Sequence, residues 1–223
     1  MKRLPLIALT ILVLAVVAAG AVWRLGGPSS QSTTATVTAG SADSPPAPPS
    51  DDLDAHFSLT DQNGMRRTDA DFRGKYMLVF FGYTYCPDVC PTTLAIEAEA
   101  LDKIGAAASL VVPIFISVDP QRDTPDRLKS YLASFEAREP SSPRIKFVGL
   151  TGSEEEIAKA AESYRVYYRA HLDALHSNGA DYSIDHTANV YLMSPEGRFV
   201  AYYSPGVLPD EMAADLMKTL SPG

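Results

Sequence analysis

Cys86 and Cys90 are the only two cysteines of this 223-residue chain, and they lie four positions apart in the segment YCPDVCP. An apolar run that predicts a buried strand precedes the segment, and a predicted helix follows it. At such a junction the N–H groups of the helix N-terminus favour the thiolate form of a cysteine. One helical turn apart, two such side chains can close a disulfide or hold one soft metal ion, such as Cu(I) or zinc.

A metal ion bound by two thiolates needs a further ligand, and the chain has four histidines to supply it. His56 falls in a predicted entry hairpin, whereas His171 and His176 fall in a long polar loop. His186 directly precedes a predicted strand that begins at Thr187. In the fold predicted below, the turn into that strand faces the cysteine loop, so His186 is the preferred ligand. A surface or capping role for His186 remains the alternative.

Other interpretations of these residues stay open. An exported location would permit a structural disulfide between Cys86 and Cys90, although a bridge that closes so short a loop adds little stability. Asp119 and Asp123 follow the next buried strand, in the segment SVDPQRDTP. They could orient a ligand or contact a partner protein. Turn and helix-cap chemistry explains them equally well in the case of Asp119, and better in the case of Asp123.

Composition excludes several classes of protein. Two cysteines are too few for a Cys₄ zinc site or a domain held together by several disulfides. The hydrophobic fraction of 46% is typical of a globular chain. The net charge of −8, without a long basic run, argues against nucleic acid as a partner.

The N-terminal quarter of the chain predicts a membrane anchor and a tether. Residues 1–3 carry two basic side chains and are expected in the cytoplasm, and the uncharged residues 4–23 are long enough for a transmembrane helix. A cleaved signal peptide is the alternative. Residues 24–53 are rich in Pro, Ser and Thr and predict a disordered linker. The remaining residues, 54–223, carry the whole net charge and form the predicted folded domain.

Strand and helix patterns alternate along this domain, which indicates a parallel sheet with right-handed crossovers. A C-terminal hairpin makes the sheet mixed. The predicted fold class is α/β: a thioredoxin-like fold whose mixed central sheet is flanked by helices, with an N-terminal β-hairpin and a central insertion. The predicted elements are strands 76–81, 110–118 and 145–150, helices 90–104, 124–135 and 153–163, the hairpin 188–193 with 198–203, and a final helix 209–220.

Four segments together resemble the Sco/SenC family. They are FGYTYCPDVCPTTL (81–94), ISVDPQRDTP (116–125), FVGLTG (147–152) and DYSIDHTANVYLM (181–193). Members of that family are membrane-tethered, thioredoxin-like copper proteins that assist assembly of cytochrome c oxidase. The resemblance implies that Cys86 and Cys90 are the motif cysteines, that His186 is the third copper ligand, and that Asp119 is the aspartate of the Asp-Pro motif.

Two functions are therefore expected. The first is a copper chaperone that binds Cu(I), Cu(II) or both and serves the binuclear copper centre of cytochrome c oxidase. Its partners would be the copper-accepting oxidase subunit and another copper chaperone or a thiol–disulfide reductase. The second is a membrane-tethered thiol–disulfide oxidoreductase acting on the cysteines of an oxidase copper site or of another exported protein. A peroxiredoxin-like peroxidase fits the paired cysteines less well. The expected location is a bacterial inner membrane, with the domain in the periplasm.

Overall fold

The computed structural model describes Leu53 and residues 55–136, 145–171 and 182–221. The predicted anchor 4–23, almost all of the predicted linker, and His176 lie outside these residues. Within them, no helix is both long enough and apolar enough to cross a bilayer.

Seven strands form one mixed sheet, as the alternating pattern predicted. In chain order they are β1 (Ser58–Asp61), β2 (Arg66–Thr68), β3 (Tyr76–Gly82), β4 (Val111–Ser117), β5 (Val148–Thr151), β8 (Val190–Met193) and β9 (Phe199–Tyr203). Their order across the sheet is β2-β1-β5-β4-β3-β8-β9. The three central strands β3, β4 and β5 run parallel, and the strands on both sides of them pair antiparallel. The predicted mixed sheet is therefore confirmed.

Four α-helices accompany the sheet in the described residues. They are α1 (Val89–Lys103), α2 (Pro125–Glu136), α3 (Glu154–Ser163) and α4 (Pro209–Leu220), and two short 3₁₀ helices span Asp69–Phe72 and Gly105–Leu110. Helix α1 contacts both α2 and α4. Ser153 caps α3 by accepting a hydrogen bond from the Glu156 N–H, as the capping-box pattern predicted. The α/β thioredoxin-like architecture with an N-terminal hairpin is confirmed.

The core lies on both faces of β3, whose residues from Met77 to Gly82 are all buried. Phe80 contacts Phe115 of the neighbouring strand, whereas Phe81 contacts Tyr164 at the end of α3. Successive side chains of a strand point to opposite faces, so these two phenylalanines fill the core above and below the sheet. A strand buried on both faces reads as the continuous apolar run seen in the sequence.

A second, two-stranded sheet was not predicted. It pairs β6 (Tyr168–His171) antiparallel with β7 (Ser183–His186), and it stands apart from the main sheet. His186 is thus the last residue of β7 instead of preceding a strand at Thr187, and the next strand starts only at Val190. His171, expected in a loop, ends β6. We call the pair β6–β7 the histidine hairpin.

Candidate metal centre

The cysteines lie where β3 ends and α1 begins. This is the carboxyl end of a central parallel strand, where open α/β sheets bind ligands. Helix α1 starts at Val89, so Cys86 lies three residues before it and Cys90 lies in its first turn. The N–H group of Cys90 points at the Cys86 sulfur, with 3.4 Å between N and Sγ. The predicted contact between a thiol and a helix N-terminal N–H is therefore present.

The two thiols differ in exposure. Cys90 is completely buried, whereas Cys86 is partly exposed. Gly82 makes room for the buried thiol: a Cβ atom at this position would come within 2.8 Å of the Cys90 sulfur and 2.9 Å of the Phe115 ring. The last residue of β3 must therefore be a glycine for Cys90 to lie against the sheet.

His186 completes the group from the other side. Its Nδ1 atom lies 3.2 Å from the carbonyl oxygen of Thr187. A carbonyl can only accept, so the proton is on Nδ1 and the Nε2 lone pair is available as a ligand. That Nε2 atom lies 3.4 Å from the Cys90 sulfur. The ring also packs edge-on against Tyr83, with 5.9 Å between ring centroids, so its orientation is fixed from two sides.

The three donor atoms of Cys86, Cys90 and His186 all lie within 4.8 Å of one another. Three ligands around one ion, with bonds of about 2.0–2.3 Å, need donor atoms roughly 3.5–4 Å apart. The observed spacing thus needs only a small adjustment to enclose an ion. Two sulfur donors and one imidazole form a soft ligand set that suits Cu(I) or Zn²⁺ better than Mg²⁺ or Ca²⁺.

The site separates the acidities of the two thiols. A hydrogen bond from the Cys90 thiol, helped by the Cys90 N–H, lowers the pKa of Cys86 to about 3. The same hydrogen bond, together with burial, raises the pKa of Cys90 far above its usual range. One proton is therefore shared within the pair: Cys86 is the thiolate and Cys90 the thiol that donates to it. Binding of a metal ion would displace this proton.

Asp123 anchors the cysteine loop to the end of β4. Its side chain is fully buried and accepts hydrogen bonds from the Thr84 N–H (3.0 Å), the Thr84 hydroxyl (2.6 Å) and the Ser117 hydroxyl (2.7 Å). Burial raises the pKa of Asp123 in spite of these donors. Thr84 stands two residues before Cys86. Asp123 thus ties the cysteine loop to the end of β4, beyond the cap chemistry expected for it.

Asp119 instead contacts Tyr182, the residue directly before β7 of the histidine hairpin. One of its carboxylate oxygens accepts a hydrogen bond from the Tyr182 hydroxyl at 2.5 Å, and the other pairs with the Arg122 guanidinium at 2.5 Å. Burial, followed by the bond to Asp119, raises the pKa of Tyr182 to about 12. The phenol therefore remains a donor at neutral pH.

The two other histidines that the structure describes, His56 and His171, are not part of this group. His171 is paired with Asp185 on the histidine hairpin, and His56 with Asp69 near the start of the domain. Sequence reasoning did not identify Arg122 or Tyr182 as parts of the site. A sequence signal for Tyr182 exists in the alternation of apolar and polar residues in Tyr182-Ser-Ile-Asp185, which is typical of a strand with one face against the protein.

A groove of about 310 Å³ opens beside Cys86 and His186. Its walls include Tyr83, Pro87 and Ala188. The metal centre is therefore reachable from one side, along the groove, while Cys90 closes it on the protein side.

Comparisons with known proteins agree with this arrangement. The chain matches the SCO1/SenC family over residues 45–221. It is 39% identical to the human mitochondrial SCO1 homolog over 172 residues, which are 76% of this chain and 54% of that protein. It is 46% identical to the Bradyrhizobium japonicum ScoI structure with copper bound, with a TM-score of 0.63 over 74% of this chain and 98% of that one.

A more distant likeness concerns the fold alone. The thioredoxin domain of a Bacteroides vulgatus thiol-disulfide oxidoreductase is 15% identical, with a TM-score of 0.53 over 78% of this chain and 100% of that one. Among the curated relatives above 30% identity, this chain spans about half of their length.

Proposed function

The chain belongs to the SCO1/SenC family, and we propose that it binds copper through Cys86, Cys90 and His186 and delivers it to cytochrome c oxidase. The acceptor would be the oxidase subunit that holds the binuclear copper centre. The convergence of two thiols and one imidazole within 4.8 Å carries this proposal. The copper-bound relative at 46% identity supports the choice of metal.

The protonation states of the ligands suit copper. Cys86 is already a thiolate, and the Thr187 carbonyl holds His186 in the tautomer that leaves Nε2 free. Only the proton of Cys90 has to leave. Two thiolates favour Cu(I), and the imidazole supplies a third ligand that Cu(II) also accepts. The open groove beside Cys86 lets a partner's ligand approach, so the ion can pass between proteins by ligand exchange.

Copper titration of the reduced full-length protein tests this proposal. With a competing Cu(I) chelator, we expect one copper ion per chain. Loss of a direct ligand should cost at least as much as loss of a residue that only orients one, so the affinity should fall by about 10- to 100-fold or more in His186→Ala. His56→Ala is the matched control, because His56 is exposed and pairs with Asp69 instead. Equal copper affinity in the parent and His186→Ala would exclude the three-ligand site.

Delivery to the oxidase needs a separate measurement. A deletion strain should lose cytochrome c oxidase activity, and added copper or the parental gene should restore it. The Cys86→Ala gene should not restore it. Normal oxidase activity in the deletion strain without added copper would argue that the bound metal serves another protein.

Thiol–disulfide exchange is the second candidate function, and the unequal thiols favour it. The exposed Cys86 thiolate would attack a disulfide of the target and release one target thiolate. Cys90 would then pass its proton to the released target thiolate and attack the Cys86 sulfur, which displaces the second target sulfur and leaves a Cys86–Cys90 disulfide and a reduced target. This function would be supported if the reduced protein reduces a disulfide in the oxidase copper site, and if the His186→Ala variant does so at the same rate. The two functions are compatible, because copper binding requires the reduced pair.

We further propose that residues 4–23 anchor the chain in a bacterial inner membrane and place the domain in the periplasm. The positive residues before the apolar run and the linker after it support this orientation. Alkaline phosphatase fused after residue 223 should be active and should sediment with membranes. An active but soluble fusion would indicate a cleaved signal peptide instead.

A further inference from the structure

The third ligand of the proposed copper site belongs to a separate piece of structure. His186 ends the histidine hairpin, whose strands pair only with each other. The His186 ring packs against Phe80 of β3, but no backbone hydrogen bonds of the main sheet fix the strand that carries it. Some other set of contacts must hold the hairpin against the cysteine loop.

Arg122 makes such contacts to Tyr182, the residue directly before β7 of the hairpin. One guanidinium nitrogen donates a hydrogen bond to the backbone carbonyl of Tyr182 at 3.0 Å, and Nε pairs with Asp119. The plane of the guanidinium lies over the Tyr182 ring, with 3.5 Å from Cζ to the ring centroid. Asp119 completes the arrangement by accepting the Tyr182 hydroxyl. The backbone, ring and hydroxyl of Tyr182 are all held within one cluster.

The same guanidinium also reaches the cysteine loop. Its Cζ atom lies 4.7 Å from the ring centroid of Tyr85 and 5.8 Å from that of Tyr83. Tyr85 directly precedes Cys86, and the Tyr83 hydroxyl accepts a hydrogen bond from the Ile184 N–H. Arg122 therefore lies between the chain segment that carries the thiolate and the one that carries the imidazole.

We propose that Arg122 is a positioning residue that sets the separation between His186 and the two sulfur atoms. The inference rests on the proposed copper function and adds a determinant of it. A planar guanidinium can stack and donate in its plane at once, which a lysine ammonium cannot do. Its side chain is 13% exposed and that of Asp119 is 1% exposed, so water competes little with these contacts.

The structure offers a matched control in Arg127. Its guanidinium also lies over the Tyr85 ring, at 4.6 Å, but its Nε donates to the Thr84 hydroxyl on the cysteine loop. Replacing either arginine with methionine removes one positive charge beside the same tyrosine. Of the two arginines, Arg122 is the one whose described contacts include Tyr182, the residue directly before β7.

The experiment compares copper binding in full-length Arg122→Met, Arg127→Met and parent proteins, each alone and combined with His186→Ala. We expect Arg122→Met to weaken copper binding about 10- to 100-fold. In the Cu(II) electron paramagnetic resonance spectrum, it should also reduce the hyperfine splitting that the coordinated nitrogen of His186 produces. Arg127→Met should keep that splitting. In the His186→Ala background, Arg122→Met should change affinity by no more than about twofold, because the ligand through which it acts is gone.

The outcomes separate this inference from the copper proposal. If the parent binds copper no better than His186→Ala, the copper site itself is wrong. If the parent does bind through His186 but Arg122→Met equals Arg127→Met in affinity and nitrogen splitting, only the positioning role is wrong. The positioning role would also be wrong if Arg122→Met lowered the copper affinity equally in the parent and in the His186→Ala background. Should Arg122→Met fail to fold, Tyr182→Phe removes only the hydroxyl bond to Asp119 and must show a smaller loss of the same kind.

Discussion

The Nε2 atom of His186 lies 3.4 Å from the sulfur of Cys90, although 96 positions separate the two residues in the chain. The contact joins the first turn of α1 to the end of the histidine hairpin. Neither element forms part of the main sheet, yet both meet at its edge beyond β3. The site is thus formed by two separate elements, α1 and the histidine hairpin, that both pack against the main sheet.

The acidity of Cys86 leads to the first prediction. Its pKa of about 3 means that it stays a thiolate from pH 5 to pH 8. The rate at which iodoacetamide alkylates Cys86 should therefore change less than about twofold over this range. The alkylation rate of an ordinary cysteine falls about tenfold for each unit by which the pH drops below its pKa. In Cys90→Ala the stabilising thiol donor is lost, and the rate should regain a dependence on pH. A parental profile with an inflection near pH 8.5 would contradict the assigned thiolate.

Gly82 leads to the second prediction. In Gly82→Ala the new methyl group would press on the Cys90 sulfur, since that contact is 2.8 Å. We expect a loss of about 1–3 kcal/mol of stability and weaker copper binding by the folded protein.

Gly149→Ala is the control for crowding alone. Its Cβ would lie 2.6 Å from Leu132 in α2, away from the thiols. It should lower the free energy of unfolding, measured in urea, without changing copper affinity. Equal copper affinities in the two variants would show that Cys90 tolerates displacement.

Asp123 leads to the third prediction. Asp123→Ala leaves the Thr84 N–H and two hydroxyl groups without their buried acceptor. The free energy of unfolding should fall by about 1–3 kcal/mol or more. Asp126→Ala, an exposed position in the first turn of α2, should cost less than about 1 kcal/mol. Equal costs would mean that the three hydrogen bonds add nothing to stability.

Glu97 leads to the fourth prediction. This α1 residue is completely buried, and neither carboxylate oxygen has a hydrogen-bond partner in the described part of the chain. Burial raises the pKa of Glu97 well above 4.5. Because the folded protein holds this proton more tightly than the unfolded chain, the contribution of Glu97 to stability is largest below about pH 4.5 and is lost as pH rises toward the folded-state pKa.

Replacing Glu97 with leucine tests this pH-dependent contribution to stability. Glu97→Leu should raise the free energy of unfolding by more than about 1 kcal/mol at pH 7, and the gain should shrink at pH 4. Glu99→Leu, at a partly exposed site on the same helix, provides the comparison and should change the free energy of unfolding by less than about 1 kcal/mol at pH 7. A gain in Glu97→Leu that is equal at both pH values would mean that Glu97 is charged in the folded protein.

Sequence patterns predicted the parts of this fold that are governed by local chemistry. The final helix was expected at 209–220 and is found there, because Pro209 opens it and an apolar stripe continues through Leu216. The histidine hairpin was missed. Its strands are four residues each, and they pair across a long separation. Nothing near Tyr168 signals that His186 lies opposite it.

The candidate site was predictable to a similar degree. The cysteine spacing and the family resemblance pointed to the three donor atoms, which the structure brings together. Arg122 was not identified, although it stands inside a quoted motif, because its contacts to Tyr182 and Tyr85 come from segments distant in the chain. A charged residue in a turn reveals its partners only after the chain has folded.

The place of β8 beside β3 has a consequence for the order in which the protein is made. Strand β3 is flanked by β4 on one side and by β8, residues 190–193, on the other. During synthesis or export, this buried central strand therefore keeps one open edge until most of the chain has emerged. His186 emerges only just before that edge is closed. A nascent chain displays both thiols well before it can shield them or offer them a third ligand.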